Sequence, residues 1–120
     1  MASSNTWLPS ASRTTSQTSA DIPTAGFRNL TVTLDMTDVT ASPSVTLSIK
    51  GKDVASGKYR LLLAGAAVTT VTTNVYKVTQ NIVAAVANVS AIDVLPEFIQ
   101  LSLVANNANA GIYSVGYDLS

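Results

Sequence analysis

The sequence predicts an all-β fold, a two-sheet antiparallel β-sandwich with the jelly roll among its arrangements, led by an extended N-terminal arm. Three observations carry this expectation. Apolar and polar residues alternate with period two in several segments, the pattern of strands with one buried face. Clusters of Gly, Pro, Asn, Asp and Ser separate those segments as turns do. No stretch carries a convincing helical period. At 120 residues and 47% hydrophobic composition, the chain is long enough for one core.

Residues 1–25 are rich in Ser, Thr and Ala and carry few large apolar groups beyond Trp7, Leu8 and Ile22. They read as an arm rather than a core element, and residues 26–120 as the sandwich domain. Within the arm, Trp7, Leu8, Pro9 and Arg13 are the candidates for gripping a partner, because Trp is over-represented among binding hot spots. The arm is then dispensable for folding.

Leu30, Val32, Leu34 and Met36 alternate with Thr31, Thr33, Asp35 and Thr37, giving a strand with one apolar and one hydrophilic face. After the turn residues 38–43 (DVTASP), Val45, Leu47 and Ile49 repeat the pattern. Gly51, Lys52, Asp53, Gly57, Lys58 and Tyr59 then form a structural hairpin, with Gly57 in the left-handed conformation. Leu residues fall on both faces of residues 59–64, so that strand is expected to be covered on each side. The β-branched stretch 68–79 makes a further strand of undefined register. Residues 81–91 (NIVAAVANVSA) mix helical spacing with Val content and read as a loop with a short helical turn. Ile99, Leu101 and Leu103 form one closing strand. Tyr113, Val115, Tyr117 and Leu119 form the other, after the turn signal NNANAG.

Only 12% of residues are charged, against about 25% in an ordinary soluble domain, and seven basic residues balance seven acidic ones. Ser and Thr together supply about a quarter of the chain. Without histidine or cysteine, structural zinc, thiol catalysis, disulfides and the ordinary base of a serine nucleophile are absent. The scattered lysines form no basic stripe for phosphates, so nucleic acid is not an expected partner. The N-terminus lacks a basic start followed by an apolar run, and the longest apolar run (Leu61–Val68) is too short to cross a bilayer. The expectation is a soluble protein without a membrane partner.

The segment between Gly51 and Gly57 departs from a phosphate-binding loop in its spacing, in Tyr59 following Lys58, and in lacking a helix after it. Asp35 and Asp38 lack calcium-loop spacing and read as solvated charges at a strand end. No Ser-x-x-Lys occurs, and the Asn29 and Asn88 sequons are explained by the abundance of Ser and Thr. No catalytic, cofactor or metal residues are assigned, and the expected protein is not an enzyme.

The runs TVTLD (31–35), SVTLSIK (44–50), GKDVASGKYRLLL (51–63), VLP (94–96) and YSVG (113–116) resemble small all-β virion proteins of tailed bacteriophages. The resemblance covers most of residues 14–119, and the 51–63 run is its most specific part. It implies a capsid decoration or cement protein: a homotrimer on the outer face of the capsid, bound to the major capsid protein and made in the host cytoplasm. In that setting the arm is the natural grip on the shell. The alternative is a tail-tip or fibre-associated module recognising a host surface glycan through Tyr59, Tyr113 or Tyr117.

Overall fold

In the computed structural model, which describes residues 3–120, every regular element is a strand. In chain order these are β1 (Ser3–Arg13), β2 (Gln17–Thr18), β3 (Ile22–Pro23), β4 (Leu30–Asp38) and β5 (Val45–Lys52). They continue as β6 (Tyr59–Ala64), β7 (Thr72–Val78), β8 (Ser90–Ala91), β9 (Phe98–Ala105) and β10 (Gly111–Leu119). One sheet has the order β1-β10-β4-β7-β8; the other has the order β2-β9-β5-β6, with β3 also on β9. All pairings between these strands are antiparallel except β7 with β8.

If β2 and β3 are taken as one interrupted strand, the chain passes between sheets at each successive long strand except at the β5–β6 hairpin. The resulting orders, 1-10-4-7 facing 2/3-9-5-6, are those of a jelly roll. The sandwich expected from the alternation is therefore the fold.

The alternating residues meet between the sheets. Leu30, Val32, Leu34 and Met36 of β4 have no exposed surface, and they face Leu47 and Ile49 of β5 and Ile99, Leu101 and Leu103 of β9. A one-residue slip in β4 would move four buried side chains into water, so burial specifies its register with both β10 and β7. Strand β10 lies between β1 and β4, and the end of the chain is pinned by reciprocal main-chain bonds between Asn29 and Ser120 (2.7 and 3.0 Å).

The N-terminal segment corrects the expectation of a separate arm. Ser3–Arg13 is an edge strand of the first sheet, paired with β10 from Ser3 opposite Leu119 to Arg13 opposite Gly111. Residues 17–23 continue into the second sheet on β9; Ile22 is buried, and the Ser19 N–H donates to Leu101 O at 2.9 Å. A boundary at 25/26 therefore cuts through the sandwich and would remove the first two strands of the jelly roll. The physical reason is that main-chain pairing, rather than apolar burial, holds β1. Its register shifts between Thr6 and Leu8 and again between Leu8 and Ala11, which erases the period-two signature. Met1 and Ala2, also assigned to the arm, lie outside the described residues.

Strand β6 corrects a second expectation. A register shift opposite Ile49/Lys50 leaves Leu62 as the extra residue, so the adjacent Leu62 and Leu63 are both buried while Leu61 is 57% exposed. Only one face is covered. In β7, Tyr76 and Val78 point inward and Val75 remains exposed, as does Val71 just before the strand. Residues 81–89 form a loop, without the expected helical turn: it closes in a tight turn in which Asn88 has φ of 62° and the Ser90 N–H donates to Val86 O at 2.9 Å, before β8 joins β7.

Candidate functional site

The hairpin and the N-terminal segment, read separately in the sequence, converge on Asp21. Its carboxylate accepts hydrogen bonds from Lys52 Nζ at 2.7 Å and from the Tyr59 hydroxyl. Asp21 lies in the short connection between β2 and β3, and Lys52 and Tyr59 are the facing ends of β5 and β6. Lys52, and after it Tyr59, holds the Asp21 carboxyl below the usual carboxylate range. The bond to Asp21 in turn raises the Lys52 ammonium and the Tyr59 phenol. Nearly a third of each charged side chain is exposed, so solvent screens the pair and its effect is chiefly to fix geometry.

The rest of the hairpin is held locally. Gly57 adopts φ of 73°, as its left-handed assignment requires, and its N–H donates to Asp53 O at 2.7 Å. The Asp53 carboxylate accepts from the Ser56 hydroxyl, the first cause of its lowered pKa. Gly51 is buried where a Cβ would lie 2.6 Å from Pro96 Cγ. Lys58 is exposed.

Of the residues assigned to gripping a partner, Trp7 and Leu8 are half-buried and pack on the core. Trp7 sits at the first register shift of β1 and closes one lateral edge of the sandwich. Arg13 is turned back on the protein: it donates to Tyr113 O at 2.7 Å and also to Pro9 O, with its guanidinium 5.0 Å from the Tyr113 ring centroid. Pro9 is exposed. Trp7, Asp21 and Tyr117 line a shallow cavity of about 260 Å³ together with Thr6 and residues 19–23. Tyr113 is buried in the core and is closed to a glycan.

The opposite lateral edge has a different chemistry. It is built from β6, β7, β8 and their connections, and the Arg60–Asp93 ion pair (3.3 Å) links β6 to the segment that follows β8. From Leu61 to Leu95 the only charged residues are Lys77 and Asp93. Leu61, Val75, Val83, Val86, Ile92 and Val94 are exposed there. A groove of about 480 Å³ runs beside β7, between residues 66–70 and residues 87–89, and no charged side chain lines it. Among the described residues, no three metal-ligating side chains converge.

Neither Asp21 nor the free side of β7 was singled out from the sequence. Asp21 is one acid in a polar segment, and only the fold brings it to Lys52. The β7 edge left one signal, a long β-branched stretch almost without charge.

No protein-family model matches the chain, and no curated protein matches it. Among solved structures, it is similar to the crystal structure of SPBc2 prophage-derived protein YomS, with a TM-score of 0.56 and 14% identity over 99% of this chain and 92% of that one. It is also similar to a chain in the structure of infectious bursal disease virus Gx strain, with a TM-score of 0.47 and 13% identity. That match covers 99% of this chain and 31% of the other. The likeness to the prophage-derived protein is one of fold and extends along nearly the whole of both chains.

Proposed function

We propose that this chain is a structural protein of a tailed-bacteriophage virion, bound to the outer face of the capsid as a decoration or cement subunit. The observation that carries the reading is the lateral edge built from β6, β7 and β8. It leaves Leu61, Val75, Val83 and Val86 in water among almost no charges, an arrangement suited to lasting contact with neighbours. The fold shared with a prophage-derived protein and the resemblance of most of residues 14–119 to small virion proteins support the same reading. The major capsid protein is the proposed partner, and a homotrimer the proposed state.

Such a role requires no catalysis. Ligand binding to the assembled state alone stabilises it by mass action, and a repeating shell sums many modest interfaces. The test is to add purified protein to capsids lacking it and follow cosedimentation and the melting of the shell. Saturable binding with a raised shell melting temperature supports the reading; no cosedimentation contradicts it.

The cavity between Trp7 and Tyr117 favours a second reading, a tail-tip or fibre-associated module that takes a sugar ring against these aromatics. Specific retention on a glycan array, lost in Trp7→Ala, would support that role.

A further inference from the structure

The ladder on the outer side of β7 stops partway along the strand. The Lys77 N–H donates to Val89 O at 3.0 Å and the Thr79 N–H to Ala91 O at 3.1 Å. Main-chain groups alternate sides along a strand, so the N–H and C=O of Val75 and Thr73 point the same way as those of Lys77. Strand β8 pairs only with Lys77 and Val78, and among the described residues nothing continues the ladder to Val75 and Thr73. An unpaired strand edge is a template for another strand.

The groove lies along this uncovered stretch, with Thr72–Tyr76 among its lining residues. Both walls are tied down. On one side, Val68 exchanges main-chain bonds with Val45 (2.7 and 3.2 Å) and the Gly65 N–H donates to Leu47 O at 2.7 Å. On the other, the Val86 N–H donates to Ser90 Oγ at 2.9 Å and the Val89 N–H to Val86 O at 3.0 Å. Asn74 also lines the groove, and its Nδ2 is buried without a hydrogen-bond partner. A buried donor of this kind calls for an acceptor from elsewhere.

From these observations we infer that the groove beside β7 is a strand-addition site, taking an extended, uncharged segment of a different protein onto the free main-chain groups of Thr73 and Val75. The backbone edge selects an extended guest, because it offers donors and acceptors at strand spacing. The lining selects an uncharged one, because a charged guest residue would lose water without gaining a counter-ion. The guest occupies the line that β8 would follow if it began earlier in the chain. Its carbonyls are the acceptors that Asn74 lacks. The inference rests on this edge alone and not on the virion reading.

The probe is a blocked peptide with the sequence of residues 68–75, VTTVTTNV, which is uncharged and rich in β-branched residues. Amide hydrogen exchange of the full chain is followed by NMR with and without it. Saturating peptide should slow the Thr73 and Val75 amides about tenfold or more and leave Lys77 unchanged. A peptide with proline at its central positions should protect neither amide, having lost donors the ladder needs. Val75→Lys, and independently Val89→Lys on the groove wall, should abolish the effect while the core amides of β4 and β9 keep their protection.

Thr73 and Val75 amides as slow as Lys77 in the free protein would overturn the inference. So would absent protection, equal protection by the proline peptide, or protection confined to another strand. Protection that rises with protein concentration without peptide would make a second copy the occupant and would also overturn it.

Discussion

The Lys52 ammonium lies 2.7 Å from the Asp21 carboxylate, joining the end of the β5–β6 hairpin to the segment that carries the chain from β2 to β3. This contact ties together two stretches more than thirty residues apart in a chain with few charges. Its pH dependence has a definite sign. Asp21 has a lowered pKa in the fold, so its stabilising effect is present above the unfolded value of about 3.9 and is lost as pH falls through the folded one. Lys52 has a raised pKa, so its effect is present below about 10.4 and is lost as pH rises through the folded value. Melting curves should therefore show that Asp21→Asn lowers the melting temperature slightly at neutral pH and makes almost no difference near pH 2. An equal loss at both pH values would contradict the pairing.

Truncation distinguishes an edge strand from an arm. Removing residues 1–13 deletes β1, strips the outer edge of β10 and uncovers the core beneath Trp7 and Leu8. Each lost main-chain hydrogen bond contributes about 0.5–1.5 kcal/mol, so the sum is several kcal/mol of a total stability of about 5–15. Denaturant titration should show a large fall in midpoint, or an aggregating protein with an exposed sheet edge. A truncated chain as stable as the full one would restore the arm.

Two glycines of the hairpin region should respond for different reasons. Gly51→Ala places a methyl 2.6 Å from Pro96 Cγ and 3.4 Å from Leu62 Cδ1, an overpacking that typically costs about 1–3 kcal/mol. Gly57→Ala meets no atom within 4 Å, and its cost comes from φ of 73°, roughly 1–2 kcal/mol. Crystallography of the two variants should show a displaced Pro96 in the first and an altered turn without displaced neighbours in the second.

In the core, Leu34→Ala and Leu101→Ala each remove a side chain with no exposed surface, and each should cost about 2–5 kcal/mol. Val104→Ala, exposed on the β9 strand that carries Leu101, should cost less than about 0.5 kcal/mol. Chemical denaturation measures both, and similar losses at Val104 and Leu101 would contradict the assigned faces.

The strands legible in the sequence were those whose burial is one-sided and regular. Leu30 to Met36, Val45 to Ile49 and Ile99 to Leu103 announce their faces because each apolar residue is buried and, Ser102 apart, each neighbour is not. Strand β1 was hidden because an edge strand with two register shifts buries only Trp7 and Leu8 in part. Strand β6 misled because Leu62 is an extra residue that puts consecutive leucines on the same side. The meeting of Asp21 with Lys52 and Tyr59 was illegible, since it depends on which strands the topology brings together. The hairpin glycine was legible because Gly57 between Ser56 and Lys58 has a local cause.

The proposed virion role is tested most directly by cryo-microscopy of phage particles in which this chain is found by mass spectrometry, with the chain identified by side-chain density. The account predicts jelly-roll density on the outer face of the shell, in contact with the major capsid protein. Density for this chain only on the tail, or only inside the shell, would contradict it.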